Sequence, residues 1–203
     1  MRFGLLLTTF FGLALVTDAL ATAAPVPRGA GPRYFYPTRV GDRMVYTRSD
    51  NYEYTTTVAK VEKVDDTFHV TVNLILGDEE RLDERMEVSS KGLRMIRNTY
   101  RRTLPHPIWP LKVTPDADGT WTGKWAVFTN DGDVFEEQQY TAAGWETVEV
   151  PAGKFQAIRV NRVGTLQGSK SQCTSWYALD VGCVKWTCGT SSAVLKSFTR
   201  GPN

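Results

Sequence analysis

The chain has 203 residues, 41% hydrophobic, 23% charged and 11% aromatic, which excludes a disordered, collagen-like or multi-span membrane protein. Lys and Arg total 24 against 22 Asp and Glu, a formal charge of +2. So small a surplus gives no electrostatic ground for a nucleic-acid partner.

The N-terminus reads as an export signal. Arg2 supplies a positive start, Phe3 to Val16 is almost wholly apolar, and Ala19-Leu20-Ala21 and Ala21-Thr22-Ala23 both fit the small-x-small cleavage rule. The apolar run falls short of the roughly 20 residues that span a bilayer as a helix. We therefore expect a signal peptide over 1–24, a flexible leader over 25–33 and a single β domain over 34–203, periplasmic or secreted. The mature chain carries no transmembrane segment on this reading.

From about residue 43 the sequence alternates with period two. Phe68, Val70, Val72, Leu74 and Leu76 oppose His69, Thr71 and Asn73, the spacing of a half-buried strand. Leu82, Met86 and Val88 form a second stripe and Trp121, Trp125 and Val127 a third. Turn signals separate the runs at Asp65-Asp66, Gly77-Asp78, Lys91-Gly92, Asp131-Gly132, Pro151-Ala152-Gly153 and Leu179-Asp180-Val181-Gly182. Such close spacing predicts hairpins. The expectation is an all-β fold, a single antiparallel, strongly curved or barrel-like sheet of about nine to eleven strands; spacing leaves a two-sheet sandwich open. Residues 97–115 interrupt the pattern, because Pro105, Pro107 and Pro110 exclude a central strand. A long loop over one end of the sheet is expected there.

Three cysteines lie near the C-terminus, at 173, 183 and 188. An oxidising compartment favours a disulfide over a metal site, and three thiols without a nearby fourth ligand make a poor zinc set. If Tyr177 faces Val184 in a hairpin, Cys173 falls opposite Cys188, and Cys183 is the odd thiol.

The chemistry-bearing motifs are sparse. There is no nucleophile elbow, zinc-binding helix, phosphate loop or dinucleotide fingerprint, and nothing that calls for a cofactor or metal. His69 sits on the polar face of a strand; His106 stands between two prolines. The acidic run Asp78-Glu79-Glu80 and Asp83-Glu84, interleaved with Arg81 and Arg85, reads as a self-screened surface. Asp116-Ala117-Asp118-Gly119 lacks the later ligands of a calcium loop and reads as a turn. Lys91, Arg94, Arg97, Arg101, Arg102 and His106 gather along one segment with Tyr100. They either bind an anionic lipid headgroup or glycan, or neutralise the neighbouring acidic hairpin. Six tryptophans either fill the core or line a ligand pocket.

Val148-Glu149-Val150-Pro151-Ala152-Gly153-Lys154-Phe155-Gln156-Ala157, Trp176-Tyr177-Ala178-Leu179-Asp180-Val181-Gly182-Cys183-Val184-Lys185 and the opening Tyr36-Pro37-Thr38-Arg39-Val40-Gly41-Asp42-Arg43-Met44-Val45-Tyr46 resemble a group of small exported bacterial proteins of uncharacterised function. Their pattern runs V-P-A-G-x-F-x-A, a strand, then W-Y-A-x-x-V-G-x-V-K. The chain departs from it at Cys183, where an apolar residue is usual, and at Leu179-Asp180, where Pro-Gly is usual. The resemblance implies an exported all-β domain and transfers no site residues.

The function expected is non-catalytic binding of an apolar or amphipathic ligand, or of an envelope protein, in a pocket lined by some of Trp121, Trp125, Phe68, Val70 and Leu74. The expected binding set is Trp121, Trp125, Arg97, Arg101, Arg102 and His106. A structural or protein-interaction module is the second reading. A hydrolase with two converging carboxylates is the third.

Overall fold

The computed structural model describes residues 33–77, 79–97, 103–113, 118–129, 132–166 and 169–202. The expected signal peptide, the leader up to residue 32, and Tyr100, Arg101 and Arg102 lie outside them. Twelve strands follow in order: β1 (Arg43–Arg48), β2 (Glu53–Val64), β3 (Thr67–Leu76), β4 (Glu79–Ser89), β5 (Gly92–Arg97), β6 (Thr103–Lys112), β7 (Asp118–Thr129), β8 (Gly132–Val150), β9 (Gly153–Leu166), β10 (Ser169–Ala178), β11 (Gly182–Cys188) and β12 (Ser191–Thr199). The described residues contain no helix.

All twelve belong to one antiparallel sheet, ordered β6-β5-β4-β3-β2-β1-β12-β11-β10-β9-β8-β7. Each strand pairs with its neighbour in sequence, except that β12 returns to pair with β1 while β6 and β7 stand at the two ends. Those ends approach each other, so the sheet is a nearly closed, barrel-like meander. The Trp121 indole on β7 donates to the Trp109 carbonyl of β6 at 2.7 Å, a side-chain tie between strands that share no ladder.

The period-two readings explain most of this. In β3, Val70 and Val72 are 0% and 2% exposed, and Met86 and Val88 of β4 are paired opposite Val70 and Phe68. The turn signals fall between strands as expected. Gly153 and Gly182 adopt φ of 129° and 92°, the left-handed side that a side chain would resist. The strand count exceeds the nine to eleven expected, and residues 103–112 show why. They form β6 rather than a loop, pairing Met95 with Ile108 and Leu93 with Leu111. Proline is tolerated because β6 lies at a sheet edge, with only one side committed to a ladder. Burial of Leu104, Ile108 and Leu111 compensates for the missing donors.

Two apolar clusters fill the molecule. One joins Val58, Val70, Val72, Met86, Val88, Leu93, Ile108, Leu111, Trp121 and Tyr140; Phe35 and Tyr36 add to it from the segment before β1. The other joins Met44, Tyr46, Val184 and Leu195 with Val148, Val150 and Ala152 at the β8–β9 turn, where Ala152 N donates to Leu195 O at 3.1 Å. Asp42, 0% exposed, ties the two chain ends of the domain together. Its carboxylate accepts from Gly201 N at 2.9 Å and Arg39 N at 3.3 Å, and pairs with Arg200 at 3.2 Å.

Candidate functional site

Alternation places a charged or polar residue inside the sheet wherever it falls in phase with an apolar stripe. Ile158 and Val160 are buried on β9, and Arg162 follows two residues later in the same phase. On β10 the phase-mates are Cys173, Ser175 and Tyr177, paired with Arg162, Val160 and Ile158. Val160, Arg162, Cys173, Ser175 and Tyr177, with Met95, Ile108, Pro110, Tyr140 and Trp186, line an open cavity of about 290 Å³. Its walls are mainly apolar, and Arg162 is the one cation among the described lining residues. The guanidinium lies 2.9 Å from Cys173 Sγ and hydrogen-bonds Tyr140. Burial raises the Tyr140 hydroxyl above its ordinary range and Arg162 opposes that shift, so the ring keeps its proton.

Cys173 and Cys188 form a disulfide in this wall, as the sequence reading expected. The premise needs one correction. Tyr177 pairs with Cys183, not Val184, because a bulge shifts the register between Trp176 and Tyr177. The slip lies on the turn side of the cysteines, so their pairing survives it.

A second cavity, about 150 Å³, shares Trp186 with the first. Tyr36, Tyr46, Tyr54, Met44, Val72, Glu84 and Cys183 also line it. The Tyr46 and Tyr54 rings stack with centroids 5.1 Å apart, and Trp186 Nε1 donates to Tyr54 Oη at 3.3 Å. Tyr46 Oη donates to the Cys183 carbonyl at 2.8 Å, and Tyr36 Oη donates to Glu84 Oε1. Burial raises Tyr46 and Tyr177 well above the ordinary tyrosine range and pushes the Cys183 thiol up to about 12. All three are therefore neutral at physiological pH. The odd thiol is chemically quiet in the folded chain, since the thiolate is the reactive form.

Glu84 corrects the reading of its acidic run as a solvated surface. It pairs with Val72, and the register shift beside it leaves Asn73 opposite Leu82. Glu79 and Glu80 of the same run are exposed, and Arg85 reaches Glu62 at 3.3 Å, as the surface reading expects; beyond the run, Glu87 binds Arg94 at 2.5 Å and lies 3.9 Å from His69. A signal for Glu84 was present: it stands in phase with Met86 and Val88. The same argument finds Arg162, in phase with Ile158 and Val160.

Of the expected binding residues, Arg101 and Arg102 lie outside the described residues, and Trp121 and Arg97 line neither cavity. Trp121 is 7% exposed, stacks on Tyr140 at 5.6 Å and holds the β6–β7 seam; it lines neither chamber. Phe68, Val70 and Leu74 line neither chamber, and Val72 alone comes from the apolar face of β3. Arg97 pairs in register with Arg85 and Thr103. Trp125 lies opposite Glu136 in the β7–β8 ladder, and His106 falls within β6. In the basic segment, Arg94 pairs with Glu87 and sits 6.0 Å from the Trp109 ring, with Lys112 at 5.7 Å. No group of three metal-ligating side chains occurs among the described residues.

No protein-family model and no curated protein matches the chain. Solved structures do. A crystal structure of an inferred exported protein with a YmcC-like fold from Bacteroides fragilis superposes with TM-score 0.55 at 16% identity, covering 83% of this chain and 100% of the other. An inferred lipoprotein from Parabacteroides distasonis gives 0.46 at 13%, covering 83% and 100%. The hypothetical lipoprotein YmcC from Escherichia coli gives 0.40 at 12%, covering 80% and 85%. The first of these shows a shared fold, the YmcC-like curved sheet.

Proposed function

We propose that the protein is an exported, non-catalytic β domain that holds a small amphipathic anion in the Arg162 cavity. The observation that carries this is a single half-buried guanidinium in a cavity whose other walls are mainly apolar, Met95, Ile108, Pro110, Val160 and Trp186 among them, with hydroxyls from Tyr140, Ser175, Tyr177 and Thr187. A guanidinium recognises a carboxylate or phosphate by paired hydrogen bonds, and the apolar walls take an aliphatic tail. At about 290 Å³ the chamber has roughly twice the volume of an engineered cavity that accepts benzene. Export is supported by the N-terminal sequence and by the fold shared with the Bacteroides fragilis protein, itself described as exported. Glu84 is the one carboxylate among the described lining residues of these two cavities, so the paired carboxylates of a hydrolase are not assembled there.

Native mass spectrometry of protein purified from an oxidising compartment without detergent tests this reading, followed by titration with octanoate and octanol. Extra mass lost on denaturation and about tenfold tighter binding of octanoate than octanol are expected, the preference disappearing in Arg162→Met. A bare mass together with no octanoate binding overturns the reading.

A further inference from the structure

The disulfide and the first cavity meet at the sulfurs. Cys173 and Cys188 both line the cavity, from paired positions on β10 and β11, so an entering molecule has access to the bond. The two sulfurs are not equivalent. Cys173 is buried and Cys188 is half-buried. Arg162 Nη2 donates to Cys173 Sγ at 2.9 Å and lies 3.8 Å from Cys188 Sγ. Ser171 Oγ is also nearer the first sulfur, at 3.7 Å against 4.0 Å. Burial, charge and hydroxyl contact all single out the same atom.

A disulfide opens when a thiolate attacks one sulfur and the other departs as a thiolate, and it opens faster when the departing sulfur is the more acidic thiol. A guanidinium beside a thiol favours its thiolate form. We propose that Cys173–Cys188 is a thiol–disulfide exchange site that takes a small thiol from the cavity, with Cys188 the sulfur attacked and Cys173 the sulfur that leaves. The incoming thiolate bonds to Cys188 Sγ as the Cys173–Cys188 bond breaks, and the electron pair of that bond passes to Cys173 Sγ beside Arg162. One negative charge enters and one remains, so no proton moves in the step. The product carries the small thiol on Cys188 as a mixed disulfide. From there Cys173 can attack Cys188 Sγ, expel the small thiol as its thiolate and restore the bridge. A second small thiolate can instead attack the first one's sulfur and release Cys188 as a thiolate. The two small thiols then leave as one disulfide, oxidised by two electrons, and the protein keeps those electrons as a dithiol.

Other readings account for less. Two sulfurs are too few for a zinc site, and no group of three metal-ligating side chains occurs among the described residues. A bridge that merely staples the hairpin leaves the cation at one sulfur, and the open approach to both, without a consequence. Cys183 does not compete, because it lines the second cavity and burial keeps its thiol protonated. The exchange reading needs no bound anion and so stands apart from the ligand reading of the same cavity.

The test uses the mature, disulfide-intact protein and 2-mercaptoethanol, a neutral thiol small enough for a cavity of about 290 Å³. Early time points are stopped with acid, free thiols are capped with N-ethylmaleimide, and the adduct is located by peptide mass. The small thiol should be found on Cys188 and the cap on Cys173, at a rate that stays flat in urea below the unfolding transition. Arg162→Met should slow the opening about tenfold, and Arg162→Lys, which keeps the charge, should recover most of that loss. An adduct on Cys173, or on both sulfurs equally, overturns the proposal, and so does absence of any adduct. A rate that climbs with urea in parallel with global unfolding also overturns it, because the bridge then opens only in the unfolded chain. These wild-type outcomes require no variant to fold. Because the probe is neutral, octanoate binding can fail while exchange proceeds, or the reverse, and the two readings fall separately.

Discussion

Between β1 and β12 the sheet is joined by a ladder running from Arg43–Thr199 to Arg48–Ala193, with one bulge. Between β6 and β7 the two ends meet through side chains, and Trp121 supplies the hydrogen bond to the Trp109 carbonyl. The first join links elements far apart in sequence, so it incurs a large loop-closure entropy that many cooperative hydrogen bonds must offset. Asp42 reinforces it by satisfying donors from both ends of the domain. The second join links neighbours in sequence and uses fewer backbone contacts. The comparison shows that a curled sheet can be closed firmly on one side and left separable on the other.

Three substitutions probe that contrast. Asp42→Ala should have the largest effect, destabilising by about 4 kcal/mol in urea denaturation, because it strands Arg200 and leaves buried backbone donors unpaired. The paired replacement Cys173→Ser with Cys188→Ser should cost about 3 kcal/mol in the same assay, the chain-entropy value for a loop of this length. It acts on the firmly paired half and should leave the β6–β7 seam untouched. Trp121→Phe should cost only about 1–2 kcal/mol, losing one hydrogen bond and part of a ring. Hydrogen exchange sharpens this last case: amides of β6 and β7 should exchange before those of β1 and β12, and Trp121→Phe should widen the gap. Equal protection of the two joins would refute the distinction.

Regions with regular pleating were readable from the chain alone. Phe68 to Leu76 announced β3, and the Cys173–Cys188 pair followed from the alternation around a hairpin. Residues 103–112 were misread because proline chemistry excludes a central strand but not an edge. The chambers were illegible for a different reason: Met95, Tyr140, Arg162, Cys173 and Trp186 come from five strands whose meeting depends on the curl of the whole sheet. Bulges compound the difficulty, since a shift of one residue moves side chains between faces, as at Tyr177. A charged residue in phase with an apolar stripe is nevertheless a usable sign, and Asp42, Glu84 and Arg162 all carry it.

The prolines of β6 have a bearing on how the molecule behaves among its own copies. An unpaired strand edge is a template on which a second chain can add, the first step toward fibrils. Here Pro105, Pro107 and Pro110 remove three backbone donors from a ten-residue edge strand. An incoming strand would find a β6 edge poorer in donors and, beside it, a partner edge already drawn close by an indole. The barrel can thus stay unsealed at one seam and still resist polymerisation at high concentration.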